Sequence, residues 1–271
     1  MTSTATVASV SATSGATPAL QTIQLEKVFG SKGAVTKALD GIDLVVEKGE
    51  FVAIMGPSGS GKSTLLNCIA TIENSTAGQI IVDGRDVTRL RGRNLTCFRR
   101  DELGFIFQDG NLIDTLSGYE NIALALSIQK APAAKIDDRV RKMADALDVA
   151  SVLDKRPSQM SGGQRQRVAA ARALVTKPKL VLADEPTGAL DSRNARIMME
   201  SLSTMNKQLG ATILMVTHDA FAASFAHRVV FVRDGRIFNQ VTAGNGSRNE
   251  LFERIMKVQA FLGGEVARND A

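Results

Sequence analysis

The chain has no Trp, one Tyr, two His and two Cys among its 271 residues. Aromatic residues make up 4%, too few to line a base-stacking surface, which argues against a nucleic-acid partner. Cys68 and Cys97 are too few and too irregularly placed for a disulfide framework or a thiolate metal site. That usage fits a reducing, cytosolic setting. No run approaches the roughly 20 apolar residues needed to cross a bilayer, so any work at a membrane needs a second chain. The first nineteen residues, MTSTATVASVSATSGATPA, carry no charge and lack the basic start and apolar stretch of a secretory signal. Their Ser, Thr and Ala content predicts a disordered tail over residues 1–19. Charge is nearly balanced, with 33 Lys+Arg against 28 Asp+Glu and a net of +5. Such a balance permits attraction to nucleotides or acidic surfaces without requiring either.

What remains is ordinary globular material, 44% hydrophobic and 23% charged. Ile23 and Leu25 open a strand, Ile42 to Val46 alternate as a second, and EFVAIM over Glu50 to Met55 reads as a buried strand entering a Gly-rich turn. Ile80 to Val82 with the Asp83-Gly84 turn gives another, and Phe105 to Phe107 a short one. Between about residues 111 and 171 helical patterns replace strands, Ile136 to Leu147 among them. Strands resume at Leu180 to Ala183 and Thr212 to Val216, and a hairpin closes over Val229 to Ile237. The predicted fold is α/β: a P-loop NTPase core with a mostly parallel sheet, an antiparallel β subdomain at its edge and an inserted helical lobe. It spans residues 20–245, with a C-terminal helix and tail over 246–271.

Gly56-Pro57-Ser58-Gly59-Ser60-Gly61-Lys62-Ser63, followed by the helix-forming Thr64-Leu65-Leu66, fits G-x-x-x-x-G-K-[ST] at every fixed position. Glycines let the backbone wrap until its N–H groups face phosphate oxygens, and the helix start adds a favourable dipole. Lys62 then reaches the β- and γ-phosphates of ATP, and the Ser63 hydroxyl is a ligand for Mg²⁺. Leu180 to Glu185 is an apolar strand ending in two carboxylates. At such a strand end Asp184 can hold Mg²⁺ and Glu185 can orient or deprotonate the attacking water. His218 follows another apolar strand, as a γ-phosphate contact or a structural residue; His227 reads as structural. Gln108 ends the strand at Phe107 and is placed to reach Mg²⁺ and water from a third side.

Met160-Ser161-Gly162-Gly163-Gln164 resembles the LSGGQ signature of ABC ATPases, with Met for the first Leu. The helix former Val168 to Leu174 comes next, so Ser161, Gly163 and Gln164 sit at a helix N-terminus, a second anion site. The resemblance supplies its purpose: two copies face head to tail, and each signature contacts the γ-phosphate held by the other. It further implies Gln108 as the Q-loop glutamine, Glu185 as the catalytic glutamate, His218 as the switch histidine and Gly188 to Asp191 as the D-loop. Phe29 falls where the family places a ring against adenine, with a core role as the alternative.

FVAIMGPSGSGKSTLLN, LGFIFQDGNLIDTLSGYENI and ADEPTGALDS resemble the branch holding lipoprotein-releasing and macrolide-exporter ATPases. The end, MVTHDAFAASFAHRVVFVRDGRIF with LFERIMKVQAFLGG, is similar to Bce-type ATPases of bacitracin and antimicrobial-peptide resistance. That resemblance implies a partner membrane permease, often beside a sensor histidine kinase, and a place on the cytoplasmic face of the membrane. A lipoprotein-releasing or macrolide-type exporter ATPase, or a soluble ABC ATPase of cluster assembly, stands as the alternative.

Two surfaces stay open at this level. Leu251, Ile255, Val258 and Leu262 recur at helical spacing beside Phe252 and Met256, as a helix packed on its own core or against another subunit. Arg89, Arg91, Arg93, Arg99 and Arg100 make a solvated helical face, or a contact for headgroups or permease acids.

Overall fold

The computed structural model describes residues 17–30, 35–244 and 246–269, with side-chain surroundings as far as Leu262. Of the tail expected over residues 1–19, residues 1–16 lie outside the described residues. At position 19, inside that expected tail, Ala19 is buried and its N–H donates to the Val46 carbonyl at 2.9 Å.

In chain order the first elements are β1 (Leu20–Phe29), β2 (Thr36–Val46), β3 (Phe51–Met55), α1 (Lys62–Ile69), β4 (Ala77–Val82), β5 (Arg85–Asp86), α2 (Gly92–Asp101) and β6 (Leu103–Ile106). The helical lobe contributes α3 (Gly118–Ile128) and α4 (Ala133–Ala146), then α5 (Gly162–Leu174) returns to the sheet. The chain closes with β7 (Leu180–Asp184), α6 (Ser192–Leu209), β8 (Ile213–Val216), α7 (Ala220–Ala223), β9 (Arg228–Arg233), β10 (Arg236–Thr242) and α8 (Arg248–Asn269).

Six strands form one sheet in the order β10-β9-β3-β8-β7-β6, parallel except for the β9–β10 hairpin. Side chains alternate across a strand, and in a parallel sheet both faces are covered. Phe51, Ala53 and Met55 accordingly enter one core and Val52 and Ile54 the other. The same division separates Val181 and Ala183 from Leu180 and Leu182, and Ile213 and Met215 from Leu214 and Val216. The first face is covered by the helical lobe, α5, α6 and α8. The second is covered by α1, α2 through Phe98, and the antiparallel sheet β2-β1-β4-β5.

The short strand expected over Phe105 to Phe107 begins two residues earlier and ends one residue earlier, at Leu103–Ile106. Phe107 leaves the sheet because its carbonyl is taken by the Gly110 N–H at 3.0 Å and the Gln166 amide at 2.7 Å, which turns the chain at Gln108. Arg89, Arg91, Arg93 and Arg99 are exposed on and before α2, with Arg100 half-buried, and Phe98 is that helix's buried anchor. On α8, Leu251, Ile255 and Leu262 are buried in the first core with Val258 packed against it, while Phe252 and Met256 face outward.

Candidate active site

All the polar residues of the cleft stand at the C-terminal ends of parallel strands, where an open α/β sheet presents its ligand crevice. β3 delivers the loop 56–63, β7 delivers Asp184 and Glu185, and β8 delivers His218. A cleft of about 410 Å³ is lined by Gly56, Ser58, Gly59, Gly61, Lys62, Ser63, Thr64, Glu185 and His218, with Ala38 from β2.

Glycine is required in this loop by shape. A Cβ on Gly56 would stand 2.0 Å from the Val232 carbonyl oxygen, and one on Gly61, at φ 100°, 2.3 Å from that of Ala38. The bare backbone therefore nests between β2 and β9 and opens into α1, whose N-terminal N–H groups face the cleft. Lys62 curls back over the loop, its Nζ donating to the carbonyls of Gly56 at 3.0 Å and Pro57 at 2.7 Å. Burial pulls the Lys62 ammonium below its usual range, opposed by the charges of Glu185 and Asp184. Ser63 Oγ lies 3.4 Å from Asp184 Oδ1. Burial pushes the Asp184 carboxyl up, the Glu185 charge adds to the rise, and the Ser63 hydrogen bond opposes it.

Two carboxylates, one hydroxyl and one lysine at a nest of N–H groups suit a polyphosphate with a divalent cation. An anion there would meet N–H groups and Lys62, and a cation would relieve the crowding of Asp184 against Glu185. No group of three or more His, Cys, Asp or Glu among the described residues makes a metal cage.

Glu185 stands at φ 44°, in the left-handed region that only context sustains. Its N–H donates to Val216 at the end of β8 and its carbonyl accepts from Gly188, which hold the turn. His218 Nδ1 then lies 2.9 Å from Glu185 Oε2, with the imidazole 67% exposed. A Cβ on Gly188 would be 3.2 Å from Gln108 Nε2 and 3.3 Å from Glu185 Oε2, so Gln108 and Glu185 meet across Gly188. Gln108 itself is exposed beside the cleft. His227 is structural as expected, its Nδ1 accepting from the Phe51 N–H at 3.1 Å.

The signature residues lie elsewhere. Ser161 caps α5: its hydroxyl accepts from the Gln164 N–H at 3.2 Å, and Gln164 Oε1 accepts from the Ser161 N–H at 2.9 Å. None of Ser161, Gly163 and Gln164 lines the chain's own cleft. Asp191 caps α6 through Asn194, whose side chain presses against Gly163. The N-terminus of α5 is thereby locked to the loop that follows Glu185.

With these elements in place, the family model described as ABC transporter matches residues 39–188. The chain belongs to the ABC transporter family. As an ABC cassette it binds ATP and hydrolyses it in an activity coupled to transport. It is 48% identical to the bacitracin export ATP-binding protein BceA of Halalkalibacterium halodurans over 90% of this chain and 97% of that protein. It is 42% identical to the macrolide export ATP-binding/permease protein MacB of Brucella melitensis over 83% of this chain and 35% of that protein. The dimeric post-hydrolysis structure of the ATP-binding cassette MJ0796 bound to ADP and Pi superposes with a TM-score of 0.75 at 36% identity, covering 82% of this chain and 98% of that one.

Two of the expected residues, Ser60 and Phe29, are not among those lining this cleft. The Ser60 side chain is buried away from the cleft, with its Oγ unpartnered, because Ser60 O is engaged by the Gly235 N–H behind the loop. Phe29 ends β1 half-exposed under the Lys27 ammonium, 4.6 Å from the ring centre, and is not among the cleft-lining residues. Three residues were not singled out from the sequence. Ala38 walls the cleft from a distant strand. Gln166 and Arg172 of α5 hold the Gln108 turn, the second through the carbonyls of Gly110 at 2.8 Å and Asn111 at 2.7 Å. Long polar side chains inside an Ala-rich helix were the available signal.

Proposed function

We propose that this cassette powers a membrane exporter giving resistance to bacitracin-like antimicrobial peptides, working at the cytoplasmic face with a partner permease. The observation that carries this is the 48% identity over nearly the whole of a protein named for bacitracin export. No helix among the described residues is long and apolar enough to cross a membrane, so the transported molecule's path belongs to the partner. A sensor histidine kinase beside that permease completes the proposed module.

Two copies pair head to tail around two ATP molecules. Support comes from the capped helix start at Ser161, which lies outside its own cleft, and from the dimer formed by MJ0796. In each cleft the loop N–H groups and Lys62 bind the phosphates. Ser63, Asp184 and Gln108 would hold Mg²⁺, which neutralises charge on the β- and γ-oxygens when bound. Glu185 orients water and accepts its proton as the bond to the γ-phosphorus forms and the β–γ bridge breaks, leaving ADP with the electron pair. His218, with Nδ1 engaged by Glu185, offers its other ring nitrogen to the γ-phosphate. Ser161, Gly163 and Gln164 of the second copy close the same phosphate from the opposite side. Hydrolysis then reopens the pair, and movement of the Gln108 turn passes the change to the permease.

Glu185→Gln tests the chemistry. It should keep ATP binding, lower turnover at least about a hundredfold and accumulate an ATP-bound dimer on size-exclusion chromatography. Near-wild-type turnover would remove Glu185 from this role. Co-expression with the permease that co-purifies, followed by growth on bacitracin and on a macrolide, tests the cargo. Protection against the macrolide alone selects the macrolide-type exporter, and co-purification with soluble assembly proteins selects the soluble ATPase.

A further inference from the structure

Helix α8 borders the active site through Gln259 and Leu262. Its inner stripe of Leu251, Ile255, Val258 and Leu262 lies on the first core. At its start the Arg248 guanidinium sits 4.5 Å from the Phe225 ring centre and 5.4 Å from that of Phe221, on and just after α7. Eleven residues further, about 16 Å along the axis, half-buried Gln259 donates from Nε2 to the main-chain carbonyl of His218 at 3.2 Å. Gln259 and Leu262 also face Gly56, Pro57, Ser58 and Phe231 across an apolar cavity of about 300 Å³. The same turn of α8 therefore borders both the phosphate loop and the histidine.

The backbone on either side of His218 is tied down locally. The Thr217 N–H donates to Ile54 at 3.1 Å, and the Asp219 N–H to Thr217 Oγ1 at 3.1 Å. The His218 carbonyl belongs to that same His218–Asp219 peptide, which is held on one edge by Thr217 Oγ1 and on the other by Gln259 of α8. The peptide that Gln259 holds adjoins the histidine whose Nδ1 lies 2.9 Å from Glu185 Oε2.

We propose that Gln259 is a positioning residue for turnover, fixing the His218 peptide so that the imidazole meets Glu185 and the γ-phosphate together. This rests on the role given to His218 above. Gln259 touches no phosphate-binding atom through its amide, so its loss acts on kcat and leaves ATP affinity alone.

The test uses the full chain carrying Gln259→Glu, Gln259→Lys, His218→Ala and the double variant His218→Ala with Gln259→Glu. Steady-state ATPase rates, affinity for a fluorescent ATP analogue and Tm are measured on each. Gln259→Glu, unable to donate at neutral pH, should lower kcat about five- to tenfold with KM, affinity and Tm nearly unchanged. Gln259→Lys, which keeps a donor, should recover most of the rate. His218→Ala should lower kcat, and adding Gln259→Glu to it should cost nothing more. If His218→Ala lowers kcat while Gln259→Glu does not, or if the two losses multiply, Gln259 does not act through His218. A fall in Tm that tracks kcat and resists rescue by Lys would assign Gln259 to stability alone and also overturn the proposal. Normal turnover in His218→Ala would remove His218 from the site, and Gln259 with it.

Discussion

Replacing Gly61 with Ala and, separately, Gly59 with Ala isolates what the phosphate loop demands of its glycines. Both stand in the left-handed region, at φ 100° and 77°, so both substitutions incur strain of about 1–2 kcal/mol. They differ in their surroundings. Nothing lies within 4 Å of a Cβ on Gly59, whereas one on Gly61 stands 2.3 Å from the Ala38 oxygen and 3.2 Å from Leu39 Cδ2. The closest neighbour is backbone of β2, which cannot rotate aside, so the loop or the strand must shift by roughly 1 Å, at an added cost of about 1–3 kcal/mol. Gly61→Ala should therefore exceed Gly59→Ala by that margin. Where the cost falls on the ATP-competent loop, the margin is about five- to a hundredfold in affinity. Urea unfolding gives the stability part and titration with a fluorescent ATP analogue the binding part. Equal losses for the two variants, or a larger loss at Gly59, would refute the reasoning.

Asn121 is fully buried, accepting from the Ile113 N–H at 2.8 Å and sharing its two amide hydrogens among the carbonyls of Ile113, Leu116 and Ser117. Asn121→Ala should destabilise by about 3 kcal/mol, read by urea unfolding, and a change under 1 kcal/mol would contradict it. Cys68 is buried and its thiol is pushed up to about 11 by burial. Iodoacetamide at pH 8 should label Cys97 in the native protein and Cys68 only after unfolding, as mass spectrometry would report. Asp83 lies between Lys179 and Lys48, whose hydrogen bonds, that of Lys179 foremost, hold its carboxyl below the usual 3.8. A depressed folded value means stability present above the unfolded pKa and lost as pH falls through the folded one. Asp83→Asn should therefore flatten the acid limb of the stability profile below about pH 4, and an unchanged limb would count against the pairing.

Much of this was legible because it is local. The strand–loop–helix around Lys62 reads directly from residues 51 to 69, and the carboxylates after Leu180 to Ala183 from one apolar run. The capping box at Ser161 is an S-x-x-Q pattern. What the sequence hid is tertiary. Ser60 looks like its loop neighbours, yet its side chain points inward because the loop leans on the β9–β10 turn through Gly235. The end of β6 was misplaced because Phe107 is as apolar as Phe105, and its carbonyl is claimed by Gly110 and by Gln166, 59 positions on. Gln259 gives no local sign at all, since it matters only once α8 crosses the His218 turn.

The wedge of Asn194 against Gly163 bears on how such a chain can diverge. A Cβ on Gly163 would fall 2.2 Å from Asn194 Oδ1 and 2.6 Å from its Cγ. No side chain enters at 163 until the one at 194 shrinks, and a shorter residue at 194 gives up the amide bond to Asp191. Positions 163, 191 and 194 thus behave as one inherited unit: a change tolerated at any of them depends on which residues already occupy the other two.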